Sequence, residues 1–140
     1  MDEVGENEKR LLEAALKAMD NAYVLWGCKV GAAILAEDSK IYGGCNVESW
    51  VSGVGICAER CAINHAVLHG NRKVKKIAIV VDANSQCEPR PCGACLQYIF
   101  DFAENSKIEI VMAKERKDGI LFETAKVKTL EELLPYPFRK

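Results

Sequence analysis

The sequence predicts an α/β protein of three layers, αβα, with helices on both faces of a mixed five-stranded sheet. Three observations predict it. Helical and extended patterns alternate along the chain in the order αββαβαββα, the order of a sheet sandwiched between helical layers. Residues 57–69 carry Ala58, Cys61, Ala62, His65, Ala66 and Leu68, a set that suits a helix buried against a sheet. The last two strands are joined by Lys114-Glu115-Arg116-Lys117-Asp118-Gly119, too short for a crossover helix, so that pair runs antiparallel.

Each element has its own signal. Leu11, Leu12, Ala15, Leu16 and Met19 recur at helical spacing in a charged stretch, which predicts an amphipathic helix over 8–22. Residues 30–35 and 41–47 are β-prone runs, and Glu37-Asp38-Ser39-Lys40 between them reads as a hairpin turn. A Gly/Ser segment at 49–55 leads into the helix at 57–69, with Cys57 at its start. Next come a strand at 76–81, a loop holding Pro89 and Pro91, and a helix at 92–102 that Pro91 introduces. Strands follow at 108–112 and 121–127, and Thr129 with Glu132 forms a capping box for a short last helix before Pro135.

Composition bounds the function. A chain of 140 residues fits one domain, 1–140, burying about two-thirds of its unfolded surface. With 19 basic and 20 acidic residues, the net charge of -1 offers no field for a nucleic acid polymer or an anionic membrane, so the expected partner is a small molecule. The basic run Arg72-Lys73-Lys75-Lys76 reads as a solvated connection between helix and strand. Seven cysteines are an odd number, and no apolar segment follows Met1-Asp2-Glu3, which argues against a secreted disulfide framework. Ile77 to Val81, the longest apolar run, is far too short for a bilayer, and the expected setting is a reducing cytoplasm.

The chemistry lies in Cys57-Ala58-Glu59-Arg60 and Pro91-Cys92-Gly93-Ala94-Cys95. Three cysteines supply three metal ligands and leave one open position, and a glutamate beside the first can carry protons, the arrangement of a zinc-activated water site. Thiols at two helix N-termini are favoured in ionised form by exposed N–H groups and the positive dipole end. Three thiolates on Zn2+ leave a net negative centre, a poor Lewis acid, and Arg60 in the same helical turn can return positive charge. Cys61, one turn beyond Cys57, is read as a core thiol; the alternative is a closed four-cysteine site without catalysis. Cys28, Cys45 and Cys87 are read as small buried or loop thiols, and His65 and His69 as packed or half-exposed helix residues. Asn46 and Glu48 are two apart on a predicted strand, so both face one way and can meet a ribose hydroxyl.

These residues resemble the cytidine deaminase family, in its short, three-cysteine, homotetrameric branch. The resemblance covers nearly the whole chain and extends to Val30-Gly31-Ala32-Ala33, Gly44-Cys45-Asn46-Val47-Glu48 and Glu132-Leu133-Leu134-Pro135. It implies the cytidine deaminase-like fold and one Zn2+ per subunit on Cys57, Cys92 and Cys95. It also implies that Glu59 takes a proton from water and passes it to ring N3, and that the same carboxylate then protonates the departing ammonia. The backbone around Ala58 and Cys92 would hold the base edge, and Phe138 would reach the site of a neighbouring subunit. The implied activity is hydrolytic deamination of free cytidine and 2'-deoxycytidine in pyrimidine salvage.

Departures from the family pattern gather at the substrate wall. Val24-Leu25-Trp26-Gly27-Cys28 replaces a segment whose final aromatic walls the base, Ser49 and Ser52 replace an asparagine and a tyrosine, and Leu96 replaces an arginine. A zinc aminohydrolase of a modified cytosine nucleoside, like blasticidin S deaminases, is the alternative enzyme.

Overall fold

A computed structural model describes residues 4–83, 86–117 and 119–139. Met1-Asp2-Glu3 and Asp118 of the sequence reading lie outside the described residues. The elements are α1 (Glu6–Met19), β1 (Val30–Ala36), β2 (Ile41–Cys45), α2 (Ala58–Leu68), β3 (Val74–Val81), α3 (Gly93–Phe102), β4 (Glu109–Arg116), β5 (Gly119–Thr129) and α4 (Leu130–Leu133). Their order is the one the sequence predicts. The sheet runs β2-β1-β3-β4-β5 and is mixed: β3 and β4 are parallel, while β1 with β2, β1 with β3, and β4 with β5 are antiparallel.

Two apolar layers hold this together. Leu11, Leu12, Ala15 and Met19 of α1 pack with Ala33, Ala78, Val80, Val111 and Ala113 on one face of the sheet. On the other face, Ala58, Ala62, Ile63 and Ala66 of α2 and Leu96 and Ile99 of α3 pack with Ile34, Ile77, Ile79, Ile110 and Met112. The alternation of β3 therefore divides its residues between the layers, since successive side chains leave opposite faces. Each fully buried branched side chain, such as Ile63 or Ile99, contributes about 1.5–3 kcal/mol. Gly44 brings α2 close to β2, because a Cβ there would overlap the backbone of Ala62.

Several boundaries differ from the sequence reading, for tertiary reasons. The first helix stops at Met19 because the chain is drawn away at Tyr23, whose N–H donates to the carbonyl of Asn46 at 3.0 Å. Strand β2 ends at Cys45, since Val47 pairs instead with Ile56, each N–H donating to the other's carbonyl at 3.0 and 2.9 Å. Pro91 precedes the cap of α3, and Cys92 itself is the N-cap. The basic run is less solvated than expected: Lys76 lies in β3 and forms ion pairs with Glu8 and Glu109.

One cysteine reading is corrected. Cys28 and Cys87 are joined as a disulfide with Cα atoms 6.3 Å apart, so they are not separate thiols. They are 59 residues apart in sequence, and the β1–β3 ladder, extended by Asp82 N–H to the carbonyl of Lys29 at 3.0 Å, brings them together. No spacing motif announces such a pair.

Candidate metal centre and substrate pocket

Helices α2 and α3 begin with cysteines in the same role. Cys57 and Cys92 are the N-cap residues, both with extended backbone, and neither side chain caps its helix. Cys95 follows in the first turn of α3 and is fully buried. The three sulfurs lie within 4.8 Å of one another. Zn–S bonds of about 2.3 Å in tetrahedral geometry put sulfurs about 3.8 Å apart, so this donor set fits a zinc ion.

The electrostatics favour a cation there. The Cys57 thiol is lowered to about 5, because the Cys95 thiol donates to it and Arg60 adds a second donor and a positive charge. Cys95 is pushed up, since its proton is held in that same bond to Cys57. Arg60 Nη2 donates to Cys57 Sγ at 3.6 Å, and this contact raises the guanidinium's own pKa. Arg60 Nε is buried without a hydrogen-bond partner among the described residues. Its donor capacity therefore exceeds what the protein's own groups use, which suits a centre gaining thiolates.

Glu59, in the first turn of α2, is only 5% exposed. Burial above all, and then the negative charge of Cys57, raises its pKa to about 7. A carboxylate poised near neutrality both accepts and returns a proton at working pH. The neighbouring Ala58 is fully buried at the first position of α2.

Other predicted metal donors are occupied elsewhere or stand apart. Cys61 is half-buried and its sulfur is outside the group of three. Burial and then the nearby Cys45 push its thiol up. His65 Nδ1 is 2.9 Å from the carbonyl of Gly43, His69 Nδ1 is 2.9 Å from the carbonyl of His65, and both rings pack on Tyr42. The described residues contain no four-cysteine cluster.

Asn46 and Glu48 are used in a way the sequence did not predict. Asn46 Oδ1 accepts from Val30 N–H at 2.9 Å while its Nδ2 donates to the carbonyl of Cys28 at 2.8 Å. The carboxylate of Glu48 accepts backbone N–H bonds from Leu25 at 2.5 Å, Trp26 at 2.7 Å and Gly27 at 3.1 Å. Those bonds, Trp26 first, hold its pKa below the usual carboxylate range. Both side chains therefore fasten the segment that leads into β1. Beside Glu48 lies a cavity of about 480 Å³, lined by Trp26, Trp50 and Ser52 among others, with the two indoles edge-on at 5.7 Å. None of its lining residues belongs to the group of three sulfurs, and both tryptophans are exposed.

Phe138 is not brought to these groups: its ring is 75% exposed. Its backbone is held, with Gln97 Nε2 donating to its carbonyl at 3.0 Å and its N–H donating to Gln97 Oε1 at 2.9 Å. Gln97 was missed by the sequence reading. Its position two residues after Cys95 is the only local signal.

The family model for the cytidine and deoxycytidylate deaminase zinc-binding region matches residues 5–112. The chain belongs to that family. A cytidine deaminase of Sporosarcina psychrophila is 38% identical over 133 residues, covering 94% of this chain and 91% of the relative. The crystal structure of a cytidine deaminase from Burkholderia pseudomallei superposes with a TM-score of 0.78 at 34% identity, covering 92% of this chain and 97% of that one. A blasticidin-S deaminase of Bacillus cereus is 29% identical over 143 residues, covering 98% of this chain and 96% of the relative. Family membership makes the chain a zinc-dependent hydrolase of the deaminase type. No described helix is long and apolar enough to cross a membrane.

Proposed function

We propose that this deaminase hydrolyses free cytidine and 2'-deoxycytidine to the corresponding uridines and ammonia. The observation that carries the reading is the group of three sulfurs within 4.8 Å beside a buried carboxyl raised to about 7. Cys57, Cys92 and Cys95 hold the zinc ion, one per subunit. When bound, zinc acidifies water and so supplies a strong nucleophile at neutral pH.

Glu59 is the proton carrier. Its carboxylate takes the proton released as water attacks the amino-bearing ring carbon and delivers it to ring N3, where it stays in the uridine; it then takes the second proton from the new hydroxyl on that carbon, which becomes the carbonyl, and gives it to the departing amine. Burial, which raises this carboxyl above the usual carboxylate range, favours its holding a proton. Arg60 offsets the negative charge of the thiolates by donating to Cys57, which keeps the centre electron-poor enough to acidify water. The backbone at Ala58 and Cys92 holds the base edge. Asn46 and Glu48 act on the sugar through the segment they fasten.

Phe138 completes the pocket of a neighbouring subunit in a homotetramer, and its exposed ring on a backbone clamped by Gln97 supports that reading. The setting is the cytoplasm, in pyrimidine salvage. Steady-state assays of zinc-loaded protein test the substrate: turnover of cytidine and 2'-deoxycytidine with little turnover of blasticidin S is expected. The exposed tryptophans of the wall and the match to the Bacillus cereus blasticidin-S deaminase favour a second reading, a modified cytosine nucleoside. Efficient turnover of blasticidin S with none of cytidine would select it.

A further inference from the structure

Three described cysteines form the metal group, and two more form a disulfide that the deaminase chemistry does not use. Both ends of that bond sit in segments that build the site. Cys28 closes the segment whose backbone N–H groups are gathered by Glu48, and its own carbonyl accepts from Asn46. The same segment places Trp26 in the wall of the 480 Å³ cavity. Cys87 lies in the loop between β3 and α3 that delivers Cys92 and Cys95.

On the Cys28 side, Lys29 N–H also donates to the side chain of Asp82 at 2.8 Å. On the Cys87 side, Arg90 N–H donates to the carbonyl of Glu88 at 2.9 Å. The disulfide therefore joins the wall segment to the loop that leads to the metal-group cysteines. The Cα separation of 6.3 Å falls within the range that a disulfide spans without backbone movement.

We propose that Cys28 and Cys87 are positioning residues, a covalent tie opened and closed by thiol–disulfide exchange that sets substrate affinity by registering the pocket wall against the ligand loop. The kinetic part rests on the proposed deaminase function. Closure is balanced by a low-molecular-weight disulfide. The half-exposed Cys28 thiolate attacks it, forming a mixed disulfide and releasing one thiolate. The buried Cys87, as thiolate, then displaces the second, so that two protein thiols and one RSSR become one protein disulfide and two RSH. Reduction by a dithiol or phosphine reverses the step. Bound zinc would hold Cys92 and Cys95 in place in either state, so opening the tie acts mainly on the wall.

The test compares zinc-loaded full-length protein equilibrated with glutathione disulfide or with a phosphine reductant. Peptide mapping of the oxidised sample is expected to show Cys28 cross-linked to Cys87, with zinc content equal in both samples. Reduction is expected to raise KM for cytidine about fivefold with kcat within about twofold, and to lower Tm by about 10 °C. The double variant Cys28→Ser, Cys87→Ser is expected to show the reduced parameters and no redox response.

Absence of the cross-link, a redox response that persists in the double variant, or a fall in kcat with KM unchanged overturns the proposal. So does a second zinc that the double variant loses, which would make Cys28, Asp82 and Cys87 a metal site. The reduced wild-type arm needs no substitution and decides the matter if the variant folds poorly. Absent deamination would refute the function while the peptide map and melting data still judge the tie.

Discussion

The thiol corner and the pocket wall bring their residues together over different distances in sequence. At the corner, the N-caps of α2 and α3 and the turns that follow supply Cys57, Glu59, Arg60, Cys92 and Cys95 from two short motifs. At the wall, Glu48 reaches back as many as 23 positions to gather the N–H groups of Leu25, Trp26 and Gly27. The corner is rigid because helix geometry fixes it; the wall is assembled from long-range bonds to exposed loop. Under the proposed function the corner carries the chemistry and the wall selects the ring, so substitutions in the two regions should fail in different ways.

The largest expected effect is at the corner. Glu59→Gln should lower kcat by about 10²–10⁴-fold while zinc content and fold persist, because a buried carboxyl is exchanged for a neutral group of the same shape. Unchanged turnover in stopped-flow or steady-state assays would remove Glu59 from the mechanism. Metal analysis by mass spectrometry then separates two cysteines on different helices, Cys95 of α3 and Cys61 of α2. Cys95→Ala should abolish stoichiometric zinc, whereas Cys61→Ala should retain it, since only Cys95 belongs to the group of three. Zinc loss from Cys61→Ala would revive the closed four-cysteine site.

Arg60→Ala comes next, with zinc affinity expected to fall about 10–100-fold in chelator competition and partial recovery in Arg60→Lys. At the wall the effects are smaller. Glu48→Gln should raise KM more than it lowers kcat, by loosening the segment that carries Trp26. Glu48 also gives a pH signature. Its folded pKa is depressed, so its stabilising contribution is present above the unfolded value of about 4.3 and is lost as pH falls through the folded value. Melting curves between pH 3 and 5 should show a shallower acid loss in Glu48→Gln than in wild type; parallel curves would mean the carboxylate is not held by those N–H groups.

Much of the fold was legible because its signals are local. The capping box at Thr129 and Glu132 forms as expected, with the N–H of Glu132 donating to Thr129 Oγ1 at 3.3 Å. The α1 stripe packs on the sheet, and the short link between β4 and β5 enforces their antiparallel pairing. The misplaced boundaries at Met19 and Cys45 both come from backbone partners outside the element: Tyr23 N–H donates to the carbonyl of Asn46 and Glu48 N–H to the carbonyl of Tyr23, while Val47 pairs with Ile56. A propensity window does not see such partners.

The sequence by itself determined the αβα order and the placing of Cys57, Glu59, Arg60, Cys92 and Cys95, the proposed metal ligands, proton carrier and charge-balancing group, at two helix starts, because short motifs place those groups by local geometry. Only the tertiary structure decided that Cys28 meets Cys87, that Asn46 and Glu48 fasten the wall, and that Gln97 holds the backbone of Phe138. Those contacts depend on strand register and loop path, and register emerges only when both faces of the sheet are buried at once.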